Sequence, residues 1–227
     1  MSCLKCCLIM LGFSLIAHRA EAIDVKHQID GVGITFSTPE HICLFDEGTF
    51  PDNVWIRSET SKHTDIYEVG TTCAMRTSLR ADSQDAKASS MKNKLLIVKM
   101  AHFDMFLKPR RSWAEVKKVY PDGQPEMMLE EMAEKALSKI KNNPVLGIQD
   151  AFVDSDSSVH LYFGFENENY AVVGFNSFTM VKDVPLVFQS YTFNSLPFSS
   201  EERAQEIQSL LKENRALISR TKRANIK

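Results

Sequence analysis

A handful of side-chain groupings in this chain have the types and spacing to do chemistry. His102-Phe103-Asp104 follows a strand candidate. An extended backbone turns residues i and i+2 to one side, so this imidazole and carboxylate could bind a metal ion or orient a base. No third ligand stands at readable spacing, and a hydrogen-bonded pair near a strand end is the expected role. Asp154-x-Asp156-x-Ser158 begins like a calcium loop but lacks the glycine and the distal bidentate glutamate that complete one. It reads as a hairpin turn. Arg110-Arg111-Ser112-Trp113 sets two guanidinium groups beside an aromatic face, suited to an acidic partner or an anionic sugar through charge-assisted and cation–π contacts. Arg110, Arg111 and Trp113 are therefore the candidate partner-binding residues. His160 and Tyr162 fall on the strand face opposite Leu161 and Phe163 and are expected to be a satisfied structural pair.

The sequence carries no Gly-x-Ser-x-Gly elbow, no His-Glu-x-x-His zinc helix, no phosphate-cradling glycine loop and no dinucleotide fingerprint. No catalytic residue, metal ligand or cofactor is assigned on this basis.

The remaining reactive groups depend on how the first 22 residues are read. Lys5 gives a positive start, an apolar run follows from Cys6 to Ala17, and Ala20-Glu21-Ala22 is a small-x-small cleavage site, so residues 1–22 read as a secretory signal peptide. Its removal takes Cys3, Cys6 and Cys7 and leaves Cys43 and Cys73. An even pair in an exported protein is expected to be a disulfide. The alternatives, a zinc site using His41 with both thiols or a nucleophile at Cys43, have no motif spacing behind them. The compartment expected is the periplasm or the exterior, with no later segment approaching the roughly 18 uninterrupted apolar residues of a spanning helix.

Hydrophobic residues at 44% and charged residues at 25% are ordinary for a globular chain. A formal charge of −2 gives no basic face for a nucleic-acid partner.

Element by element, breakers at 120–125 precede Leu129, Met132, Ala133, Ala136, Leu137 and Ile140 at helical spacing, a helix that Asn142-Asn143-Pro144 ends. Ser199 and Glu202 form a capping box opening a second helix, with Ala204, Ile207, Leu210, Leu211, Leu217 and Ile218 as its stripe. Val159, Leu161, Phe163 and Phe165 alternate as in a half-buried strand, whereas 170–181 and 184–193 are apolar on both alternations and read as neighbouring antiparallel strands. Weaker strand candidates are 31–36, 66–69, 73–79 and 95–100. The polar stretch 80–93 reads as a surface loop, and 220–227 as a basic, frayed tail. This order predicts the α+β class, an antiparallel β-sheet packed by helices.

The order from Leu95 through the helix at 127–141, the three strands and the helix at 201–219 resembles the Mog1/PsbP-like α/β/α sandwich. Gly31-Val32-Gly33-Ile34-Thr35-Phe36-Ser37-Thr38-Pro39-Glu40 is similar to the opening strand of such domains, which often runs into a proline. A mature chain of about 205 residues is expected to form one α+β domain over 23–219, and 45–93, which a minimal domain of that kind would not need, reads as an insertion or elaborated loops. Members of that superfamily are mostly binding or accessory proteins, including exported envelope proteins and chaperones of type VI secretion effectors. The expected function is accordingly a non-enzymatic protein-binding protein of the bacterial envelope, with an immunity-type inhibitor of a secreted toxin as a concrete form. The alternatives are a periplasmic hydrolase or metal-dependent enzyme using His102, Asp104 or His160, and a small-ligand or membrane-surface binder using Arg110, Arg111 and the basic tail.

Overall fold

A computed structural model describes residues 23–60, 66–81, 96–102, 131, 148–166 and 168–226. In chain order the elements are β1 (Asp24–Ile29), β2 (Val32–Ser37), β3 (Ile42–Leu44), α1 (Asp52–Thr60), β4 (Ile66–Thr72), α2 (Cys73–Ala81), β5 (Leu96–His102), β6 (Ile148–Val153), β7 (Val159–Glu166), β8 (Tyr170–Val181), β9 (Val184–Ser195) and α3 (Ser200–Ala224). The expected leader at 1–22, the helix at 127–141, most of the 80–93 loop and the Arg110, Arg111 and Trp113 cluster lie outside the described residues.

The longest strand pair is set by a two-residue turn. Lys182 and Asp183 both take positive φ, 50° and 60°, the turn hand that matches strand twist. It places Val181 opposite Val184 and carries the ladder to Tyr170 opposite Ser195. β8 and β9 become central strands of a seven-stranded sheet in the order β3-β4-β5-β9-β8-β7-β6, antiparallel at every pairing. A second such turn at Asp30 and Gly31 folds β1 onto β2 as a separate two-stranded sheet. Antiparallel sheets packed by helices make this the α+β class.

Both faces of β8 and β9 are covered, which is why neither alternation in their sequence is polar. On one face Leu186, Phe188, Val173 and Phe175 meet Leu210, Leu211, Leu217 and Ile218 of α3, and Ile34 and Phe36 of β2 join the same core. On the other, Val172 and Tyr191 pack with Phe45, Val69 and Leu79, ringed by Trp55, Ile56 and Met75 of α1 and α2. Gly174 sits opposite Phe163 and Tyr191 in mid-sheet. A Cβ there would stand 2.6 Å from Tyr191 Cβ and 2.8 Å from the Ser190 carbonyl oxygen, so only glycine fits.

Several sequence expectations hold. α3 opens on the capping box, with Ser199 Oγ accepting from Glu202 N at 3.2 Å and the Glu202 carboxylate accepting from Ser199 N at 2.8 Å. Cys43 and Cys73 form a disulfide, with sulfurs 2.04 Å apart, that ties β3 to the first residue of α2. The strand expected at 66–69, within the 45–93 stretch, is present as β4, which lies in the main sheet between β3 and β5.

Others need correction. The strand expected at 73–79 is the helix α2: Thr72 Oγ1 accepts from Met75 N at 3.2 Å as a cap, and Met75 and Leu79, four apart, face the core. The tail expected to fray from residue 220 continues α3 to Ala224. Thr221 is fully buried; its Oγ1 accepts from Ser37 N at 3.2 Å, and the Asn225 amide accepts from Thr35 N at 3.0 Å and donates to Thr35 O at 2.7 Å. The open edge of β2 needs hydrogen-bond partners, and this end of the helix supplies them. β1, where Val25, His27 and Ile29 alternate with Asp24, Lys26 and Gln28 but no strand was expected, forms because the turn at Asp30 and Gly31 pairs it along β2.

Candidate functional site

The expected hairpin turn at Asp154–Ser158 is present, closed by Asp154 N donating to Ser158 O at 2.9 Å. It puts Asp154 over the start of β7, where His160 points inward beneath α3. Four elements then meet in one row of hydrogen bonds. Asn214 Nδ2 of α3 donates to Ser177 Oγ of β8 at 2.7 Å, Ser177 Oγ lies 2.8 Å from His160 Nδ1, and His160 Nε2 lies 3.0 Å from Asp154 Oδ2. An ionised carboxylate only accepts, so Nε2 carries the imidazole hydrogen and Nδ1 accepts from the serine hydroxyl. Arg215 closes the row on α3 by gripping both Asp154 oxygens, with Nε on Oδ2 at 2.7 Å.

The protonation states follow from this surround. Arg215's hydrogen bonds hold Asp154 below the usual carboxylate range against the opposing effect of burial, with the neighbouring His160 adding to the lowering. Burial pushes His160 below the ordinary imidazole range, and the attraction of Asp154 only partly offsets it. Asp156 is raised by burial but lowered further by Lys222 and Ser158, for a net drop.

A Ser–His–Asp row is the constellation of many hydrolases, in which the serine attacks a bound carbonyl. Here Ser177 and His160 are both 0% exposed, and Ser177 Oγ already accepts from Asn214. The serine oxygen has no path to a substrate. An open groove of about 510 Å³ lies at the other end of α3, lined by residues including Asn194, Phe198, Glu202, Glu206 and Ser209, and not by His160 or Ser177. The row is a tie between helix and sheet. His160 is thus the structural group expected, paired with Ser177 and Asp154; Tyr162 packs its ring 5.6 Å from Phe175 under Leu210 and Leu211.

His102 ends β5, Asp104 lies outside the described residues, and His160 is on β7, three strands across the sheet with β9 and β8 between. Among the described residues no group of three or more His, Cys, Asp or Glu side chains could hold a metal ion.

A second polar centre was not anticipated from sequence. Asp52, at the start of α1, is fully buried and accepts from Arg76 Nε at 2.8 Å, Arg80 Nη2 at 2.7 Å and Asp46 N at 3.0 Å. Burial raises its pKa, but Arg80, the Asp46 N–H and Arg76 together bring it below the usual carboxylate value. This clamp fixes α1 against α2, and the disulfide fixes α2 against β3. Phe50, in the turn before α1, and Val54, in its first turn, lie on either side of Asp52 in sequence and stand 58% and 52% exposed beside that braced support. The signal that could have found the clamp was Arg76 and Arg80, four residues apart, but Arg76 fell in a segment read as a strand and Arg80 opened the stretch read as a loop.

No family model, curated protein or solved structure matches the chain.

Proposed function

We propose that this chain is an exported, non-enzymatic protein-binding protein of the bacterial envelope, and that it engages its partner through Phe50 and Val54. The observation that carries this reading is the contrast at α1: two large apolar side chains face solvent beside a carboxylate buried under two arginines. An exposed aromatic anchor with an aliphatic neighbour on a rigid base suits protein recognition, because little side-chain or loop order is lost on binding. Export is supported by the leader-like first 22 residues and by the disulfide, a bond that oxidising compartments preserve. The Mog1/PsbP-like pattern, found mostly in binding and accessory proteins, points the same way, and an immunity-type inhibitor of a secreted toxin is the concrete form proposed. The burial of Ser177 and His160 weighs against the hydrolase alternative.

The test is photo-crosslinking in cells from a reactive residue placed at position 50. The reading expects one discrete protein adduct in the envelope fraction, lost when Val54→Asp is added. Equal adducts from the exposed helix position of Lys212 overturn it. Export is checked separately by sequencing the mature N-terminus, expected at Ile23.

A further inference from the structure

The turn between β6 and β7 is held to α3 from two levels. At the surface Arg215 grips Asp154, and Lys222 Nζ meets Asp156 Oδ2 at 2.8 Å and the Asp156 carbonyl at 3.1 Å. Arg215 and Lys222 are seven residues apart, two turns along one face of the helix. Inside, His160 joins the same Asp154 to Ser177 and, through it, to Asn214. We propose that this row is an acid-sensitive latch, in which protonation of the His160 imidazole undoes the interior hold on the β6–β7 turn and leaves it tied to α3 by the surface ion pairs alone.

Both ring nitrogens of His160 are matched only in the neutral ring, with Nε2 donating to Asp154 and Nδ1 accepting from Ser177. A proton on Nδ1 would face the hydroxyl hydrogen of Ser177, which must then turn away and lose its acceptor. Its oxygen is already engaged by Asn214 in a site with no exposure to water. Breaking a hydrogen bond in a buried site is costly, as is burying a cation. Both costs vanish if the imidazolium moves out to solvent, which loosens the start of β7 and the adjoining turn.

The charged groups facing the ring set the sign. The turn presents Asp154 and Asp156, α3 presents Arg215 and Lys222, and β8 presents the uncharged Ser177 and Thr179. Asp154 favours the imidazolium; burial and Arg215 oppose it and prevail, so the latched ring binds its proton less readily than a free one. The released state therefore holds one more proton, and release grows as pH falls from about 6.5, the ordinary imidazole value, towards the lower latched value. The slope approaches tenfold in the opening equilibrium per pH unit. Asp154 and Asp156 are themselves lowered and remain ionised over that window, leaving the mild-acid response to His160.

The experiment follows the full mature chain by NMR from about pH 7.5 to about pH 5, reading the His160 ring and the exchange protection of the amides from Asp154 to His160, corrected for intrinsic exchange. The expected result is loss of protection at the turn along the His160 titration, and no such loss in His160→Gln. Glutamine can donate to Asp154 and accept from Ser177 at every pH. Protection that stays constant through the wild-type ring titration overturns the latch, as does an equal loss in His160→Gln. If that variant does not fold, the wild-type comparison of ring and amides decides alone.

Discussion

On the α3 face of the main sheet, Phe36, Phe175 and Phe188 are wholly buried, and α3 lies along the strands through Leu210, Leu211, Leu217 and Ile218. Among the described residues the buried cluster on the α1–α2 face is smaller, five residues centred on Val69 and Leu79, and its surround of Trp55, Ile56 and Met75 is partly open to solvent. The second face carries the disulfide and the Asp52 clamp; the first carries neither. Apolar burial stabilises in proportion to the area removed from water, so a corner with little of it depends on bonds of other kinds. The difference teaches where substitutions should be felt globally and where only locally.

The sharpest way to break this contrast is Phe188→Ala. Phe188 is fully buried and packs edge-on to Phe36, at 6.2 Å between ring centroids. Its truncation should cost about 3 to 5 kcal/mol in urea unfolding. A loss below about 1 kcal/mol would mean that the α3 face is not the principal core.

Removing the disulfide by Cys43→Ser with Cys73→Ser comes next. The bridge closes a 30-residue separation, and its loss should cost about 3 kcal/mol through the entropy restored to the unfolded chain. Hydrogen exchange should place the first openings in α1 and α2, with the β8–β9 ladder still protected. Uniform loss across both faces would erase the distinction between them.

Asp52→Asn should cost about 2 kcal/mol, less than the usual loss on breaking a buried pair because Arg76 and Arg80 are partly exposed and can reach water. The variant also tests a pH dependence. The Asp52 carboxyl is lowered in the folded chain, so its contribution is fully present above its ordinary value near 3.8 and is lost as pH falls through the lower folded value. Asp52→Asn should flatten that acid limb of the stability profile while leaving the mild-acid behaviour of the β6–β7 turn unchanged.

How much of this was legible in the sequence follows the range of each signal. β7, β8 and β9 could be read because their alternation and turns are local, and the Ser199–Glu202 box because its partners are three residues apart. The disulfide followed from compartment and count. The end of α3 was missed because Thr221 and Asn225 bond to β2 more than 180 residues away, and no local pattern marks a polar residue as the cap of a distant strand edge. In the buried row, the face of His160 was legible from alternation, but its link to Ser177, Asn214 and Arg215 depends on how β8 and α3 cross it. The Asp52 clamp joins residues 24 and 28 apart, and it stayed hidden once α2 was taken for a strand.

The smallest expected effect on stability is the one that separates support from surface. Phe50 is more than half exposed, so its apolar area is largely in water already and Phe50→Ser removes little buried contact. Unfolding should shift by no more than about 0.5 kcal/mol, against about 2 for Asp52 two residues away. The same substitution should abolish crosslinking from a reactive residue at position 54 to the partner. A large stability loss would show that Phe50 belongs to the Phe45–Trp55 cluster and is no free anchor, whereas unchanged stability with unchanged crosslinking would move the binding surface away from α1 altogether.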